Sequence, residues 1–161
     1  MDRPDLLDSH RDVVRPEWID YNGHMNVAYY LLAFDAAADA FFDAIGIDEA
    51  YRRTTGHATF AAECHVTYQR EVVAGDPLRF TAQIIGFDEK RIHFFQSMYH
   101  AERGFLAATS EWLSLHVDLR RRRVAPMPKA VLDRLAEISA IHGRLPRPPE
   151  VGRAVNAPRS A

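Results

Sequence analysis

The chain has 161 residues, 47% hydrophobic and 26% charged, which suits one globular domain with one sizeable core and is short for two. Its 20 Lys and Arg against 22 Asp and Glu leave a formal charge of −2 at pH 7, too little positive charge for a protein that binds nucleic acid by neutralising phosphates. The lone cysteine, Cys64, excludes an internal disulfide framework and fits a reducing cytoplasm. Met1 to Asp5 show no signal-peptide core, and no apolar run reaches the roughly 20 residues that span a bilayer.

Residues 1–9 are polar and predict a loose arm ahead of a domain over 10–142. His10 to Arg15 has strand character and ends at Pro16, which cannot donate to a sheet ladder. A loop over Glu17 to Gly23 follows. From Val27 to Ile45, apolar residues at Val27, Tyr30, Leu31, Phe34, Ala38, Phe41 and Ile45 keep the helical i, i+3, i+4, i+7 spacing. Asp35, Asp39 and Asp43 mark another face, Asn26 is placed as N-cap and Gly46 as stop. Such a helix is roughly 28 Å long, and its aromatic stripe requires cover on several sides.

The cover is predicted from His57 to Arg70, Leu78 to Asp88, Arg91 to Glu102 and Phe105 to Val117. These segments are rich in β-branched and aromatic residues and are separated by turn residues at Gly75-Asp76-Pro77, Asp88-Glu89-Lys90 and Arg103-Gly104. Strands this long twist and curl. Ala130 to Ile141 predicts a final helix, and 143–161 a Pro- and Arg-rich tail. A long helix followed by a strand meander is an α+β layout, the helix lying on an antiparallel sheet.

The segment Trp18-Ile19-Asp20-Tyr21-Asn22-Gly23-His24-Met25-Asn26-Val27-Ala28-Tyr29-Tyr30 resembles the helix entry of hot-dog acyl-CoA thioesterases of the 4-hydroxybenzoyl-CoA type. Gly75-Asp76-Pro77-Leu78 is a second matching point, and the resemblance spans about residues 10 to 120. It implies a hot-dog fold, in which a curled antiparallel sheet wraps one long central helix, here with an added C-terminal helix. It also implies a catalytic carboxylate at Asp20. Thioester hydrolysis needs a base or nucleophile and donors for an oxyanion, and a helix N-terminus offers unpaired amides and partial positive charge. Asp20 is accordingly expected as base or nucleophile, the Gly23 and His24 amides as oxyanion donors, and Asn22, His24 and Asn26 as groups that orient water or the thioester. Asp20 and Asn22 also suit a plain turn, and Asn26 a plain cap.

Strand alternation puts Glu63, His65 and Thr67 on one face and Phe60, Ala62, Cys64, Val66 and Tyr68 on the apolar one; a bulge near the strand's start would invert Glu63. Glu63 and His65 then lie outside, or complete a partner's site. Cys64 reads as a small core residue. No His/Cys spacing fits a metal, and there is no Gly-x-Ser-x-Gly elbow. Coenzyme A enters as part of the substrate, with no other cofactor expected; Lys90 and Arg91, and Arg120 and Arg121 of the arginine run, are the candidates for its phosphates.

Within the family the chain resembles the betainyl-CoA thioesterases of carnitine catabolism, through Ile19 to Asn26, Glu63-x-His65-Val66-x-Tyr68, Asp88 to His93 and Met98-Tyr99-His100. A trimethylammonium acyl group asks for aromatic walls, with Trp18, Tyr29, Phe60, Tyr68 and Trp112 as candidates that equally suit core packing. The resemblance further implies a homodimer or homotetramer, with no nucleic-acid or membrane partner. An enoyl-thioester hydratase or dehydratase and a non-catalytic acyl-CoA binding protein are the alternatives; the Gly-Asp-x-Asn-Pro type strand motif of the former is missing.

Overall fold

A computed structural model describes residues 6–158; Met1 to Asp5 of the predicted arm and residues 159–161 of the tail lie outside the described residues. The chain runs through β1 (Leu7–Val13), a 3-10 turn (Pro16–Trp18), α1 (Val27–Ala44), α2 (Glu49–Thr55), β2 (His57–Tyr68), β3 (Pro77–Phe87), β4 (Arg91–His100), β5 (Leu106–Asp118), β6 (Arg123–Val124) and α3 (Lys129–His142).

The long helix stands where its periodicity placed it. The Asn26 side chain accepts the Ala28 amide at 3.0 Å and caps it. β1 starts at Leu7, not His10, because polar Asp8 and Arg11 sit on an edge strand, where Asp8 pairs with Arg11 and Arg79 while the backbone pairs with β3. The strand over residues 7–9 corrects the expected arm there. Helix α2 carried no prediction. It is too short for periodicity to mark, and its signals were Asp48, which accepts the Tyr51 amide, and Gly56 at φ +72°, which ends it.

All strand pairs are antiparallel, in the order β1-β3-β4-β5-β2, with β6 a short addition to β5. β2 is therefore an edge strand, joined to β5 almost 40 positions later in the chain, a pairing that local pattern does not encode. α1 lies on one face of the sheet. Phe41 stacks on Phe94 (4.5 Å between rings), Phe94 on Trp112 (6.0 Å), and Phe34 meets Phe80 edge-on (5.7 Å). A bulge at Ile85 frees the Ile84 amide, which donates to Nδ1 of buried His142 and so ties α3 to β3. Beyond α3 the tail follows the sheet, the Gly152 amide donating to Glu111 at 2.8 Å. The curled sheet around one long helix, with the C-terminal helix added, is the hot-dog architecture. No helix among the described residues is long and apolar enough to cross a membrane.

Candidate active site

The 3-10 turn over Pro16–Trp18 leads into a narrow loop closed by a bridge between Ile19 and Met25, in which the Asp20 amide donates to His24 O and the Asn26 amide to Trp18 O. Gly23, at φ +80°, makes the reversal that an L side chain resists. The Met25 amide donates to Val72 O (2.9 Å), anchoring the loop to the segment before β3. The Tyr68 hydroxyl donates to Val27 O, and the Tyr68 ring meets buried Tyr30 edge-on, which fixes the end of β2 against the head of α1.

This scaffold holds the Asp20 carboxylate half-buried, with each oxygen accepting one hydrogen bond: Oδ1 from the Asn22 amide (2.8 Å) and Oδ2 from Asn26 Nδ2 (3.2 Å). Each oxygen keeps a further lone pair for a proton or a water. Asn26 thus has two tasks, its carbonyl capping α1 and its amide group steadying Asp20. The amides nearby divide sharply. Gly23 N–H donates to Asp20 O at 3.0 Å, so the turn itself consumes this expected oxyanion donor. The His24 amide, and the Val27 amide that the sequence reading missed, donate to no acceptor among the described residues. Val27 is the first residue of α1, a position whose amide has no partner inside its helix.

The aromatic candidates separate into groups. Trp18 is buried, stacked on Tyr29 at 5.7 Å, with the Arg15 guanidinium 4.9 Å from its ring, so its cation-attracting face already holds a cation. Trp18, Tyr29 and Tyr68 gather at the head of α1, whereas Trp112 lies deeper on the sheet and Phe60 near the far end of β2. Within one protomer the five do not form a cage.

The bulge in β2 falls at Ala62. Glu63 lies opposite Leu113 and His65 opposite Glu111, on the face away from α1, as alternation predicted. Phe60 is the residue the bulge inverts. It lies opposite Leu115, on the same outer face and exposed, which corrects its expected place beside Cys64. The sequence also gave no hint of the His93 Nε2–Glu111 pair at 2.7 Å, which with Glu63, Cys64, His65 and Gly152 lines a cavity of about 350 Å³. Cys64 does face α1, opposite Trp112, yet the edge position leaves it exposed. Partial burial and the Asp35 charge push its thiol up to about 11, which keeps it protonated and poorly nucleophilic at neutral pH.

Lys90 pairs with Glu89 (3.0 Å), Arg91 with Asp88 (2.6 Å) and Arg121 with Asp118 (3.7 Å), while Arg120 lies along Gly56. The Arg91 hydrogen bond holds the Asp88 carboxyl below its ordinary range, and the Arg121 and Arg120 amides do the same for Asp118. All four cations sit at the start of β4 and just beyond β5, paired in register with the His57 end of β2. Asp20 lies at the Tyr68 end, roughly 25–35 Å along the strand. One protomer does not bring the two together.

A family model described as the thioesterase-like superfamily matches residues 14–135. The betainyl-CoA thioesterase of Pseudomonas aeruginosa PAO1 is 39% identical over 95% of this chain and 96% of its own length. An L-carnitine dehydrogenase/betainyl-CoA thioesterase of Rhizobium meliloti is 38% identical over 91% of this chain, which spans only 29% of that larger protein. Among solved structures, the Staphylococcus aureus protein SAV2348, determined in complex with CoA, superposes with a TM-score of 0.88 at 28% identity, covering 95% of this chain and 96% of that one. Fold, loop geometry and these similarities agree: the chain belongs to the thioesterase-like superfamily.

Proposed function

We propose that the protein hydrolyses acyl-CoA thioesters to the free acid and CoA, with betainyl-CoA among its substrates, and that it works in the cytoplasm as a homodimer or as a tetramer of such dimers. The observation that carries this reading is the Asp20 carboxylate, fixed by two hydrogen bonds beside the open His24 and Val27 amides at the positive end of α1. In the general-base route Asp20 takes the proton of a water whose oxygen attacks the thioester carbon. The resulting oxyanion accepts hydrogen bonds from the two amides, and its collapse breaks the C–S bond and releases CoA. In the nucleophilic route Asp20 itself attacks and forms a mixed anhydride that water then opens. Labelled water separates the two, since only the second puts label into Asp20. CoA enters as part of the substrate, and no further cofactor is needed.

The dimer is supported by the unpaired edge of β2 and by exposed Val27, Leu31, Leu32 and Tyr68 beside it. Antiparallel pairing of two β2 edges would set the Lys90, Arg91, Arg120 and Arg121 end of one protomer against the Asp20 end of its partner, within reach of the CoA phosphates. Glu63 and His65 would then lie at the seam. Betainyl-CoA is supported by the relatives of that name.

Thiol release over a panel of acyl-CoAs tests the reading. Asp20→Asn should lower kcat by about 100-fold or more while thermal unfolding stays unchanged. Absence of turnover for every acyl-CoA would overturn hydrolysis; full activity in Asp20→Asn would overturn the residue's role.

A further inference from the structure

The His24 and Val27 amides stand open beside Asp20 at the head of α1, and a donor that stabilises an oxyanion has to be held in direction before the charge develops. The first turn of a helix is poorly suited to that task. Its N–H groups have no partners inside the helix, and helix ends fray. Val27 adds to the difficulty: it is β-branched and more than half exposed, so neither propensity nor burial fixes it.

Two side chains from different elements hold this turn. The peptide between Val27 and Ala28 is fixed at both ends, its N–H by Asn26 Oδ1 at 3.0 Å and its carbonyl by the Tyr68 hydroxyl at 3.3 Å. Asn26 is local to the helix, whereas Tyr68 is the last residue of β2, 41 positions beyond Val27. The strand end that carries it is itself tied down. Tyr68 pairs with Ala108, and the Gln69 and Arg70 amides that follow both donate to Ala107 O, at 2.9 and 3.0 Å. The ring lies edge-on to buried Tyr30, 5.2 Å between centroids, which sets the direction of the hydroxyl. Burial, and after it Cys64, push the Tyr68 pKa above its ordinary 10, so the hydroxyl stays a donor at neutral pH. The Val27 N–H and the Val27 carbonyl belong to two planar peptides joined at one Cα. Anchoring the second limits the first to rotation about the Val27 φ and ψ, the only soft dihedrals between them.

We infer that Tyr68 is a positioning residue for the hydrolysis: its hydroxyl, acting through the Val27 carbonyl, keeps the Val27 amide aimed at the oxyanion; this rests on the thioesterase reading above. The task of Tyr68 is then not that of a wall for the acyl group. An amide that swings away from the developing charge weakens the transition state and leaves the bound thioester nearly as it was, so loss of the hydroxyl acts on kcat and spares KM.

The test is Tyr68→Phe, which takes away the hydroxyl and keeps the ring against Tyr30. Thiol release gives kcat and KM on the acyl-CoA that the wild type turns over fastest. Amide hydrogen exchange followed by NMR reads Ala28 in the first turn and, as a report on the intact fold, buried Ala33 in the helix interior. The loss of one hydrogen bond should lower kcat by about 3- to 10-fold. KM should stay within about twofold of the wild type. Ala28 should exchange several-fold faster while Ala33 exchanges as before. An undiminished kcat, a change in KM alone, or unaltered exchange at Ala28 overturns the inference, and a change in KM alone would make Tyr68 a wall of the substrate site. The exchange measurement needs no substrate. Faster exchange at Ala28 in a protein that releases thiol from no acyl-CoA would therefore refute hydrolysis and leave the clamp on α1 standing.

Discussion

Asn26 joins the stability of α1 to the chemistry of Asp20, and two substitutions separate these tasks. Asn26→Ala removes the cap on Ala28 and the donor to Asp20 together. Loss of a cap costs about 1 kcal/mol, or roughly 2–4 °C in Tm for a chain of this size. Asn26→Asp keeps an acceptor for the Ala28 amide and adds negative charge at a helix N-terminus, so its Tm should match the wild type. It also sets a second carboxylate against Asp20 Oδ2, where the amide nitrogen now lies at 3.2 Å. At that separation, with an effective dielectric of about 40–80 for a half-buried pair, like-charge repulsion amounts to about 1.3–2.6 kcal/mol, or roughly 1–2 pH units. Two adjoining carboxylates hold a proton to higher pH. The acidic limb of the kcat/KM profile should therefore move up by that amount, with activity recovering in alkaline buffer. The assay is thiol release from pH 4 to 9 beside thermal unfolding. An acidic limb that stays in place in Asn26→Asp would refute Asp20 as the ionised group of the reaction, and an unchanged Tm in Asn26→Ala would refute the capping argument.

Phe41 is fully buried against Phe94, so Phe41→Ala should cost about 3–5 kcal/mol in urea unfolding; a loss below about 1 kcal/mol would mean that the helix is not seated on the sheet as described. His116 donates its Nδ1 proton to Ala125 O and accepts the Tyr51 hydroxyl, and burial, helped by the His57 ring stacked on it, holds its pKa below the ordinary 6.5. The unfolded chain therefore takes up a proton at this position first as pH falls. The stabilisation is complete above pH 6.5 and declines below it, so stability should fall more steeply under that pH in the wild type than in His116→Gln; equal slopes would refute it. Leu32, half-exposed beside the β2 edge, should hold the dimer, and Leu32→Glu should shift sedimentation toward the monomer; a wild type that sediments as a monomer would refute the interface.

The sequence by itself determined whatever local period encodes. The turns between strands, the extent of α1 with its Asn26 cap, and the outward pair Glu63 and His65 all follow from residues a few positions apart, where propensity and side-chain alternation act. Asp20 stood out as the candidate carboxylate because a family pattern and helix-end chemistry mark the same position. The remainder depends on contacts between distant segments. β2 is an edge strand because β5 pairs on one side of it and nothing among the described residues on the other, and the bulge at Ala62 exists only relative to that partner; together they expose Cys64 and turn Phe60 outward. The packing of Arg15 and Tyr29 against the Trp18 ring is likewise tertiary, set by how the 3-10 turn meets the head of α1. Even at the helix head, tertiary geometry decided which amides are spent: the turn uses the Gly23 amide and leaves those of His24 and Val27 without an acceptor among the described residues, because hydrogen-bond partners are settled by the closed loop and not by residue type.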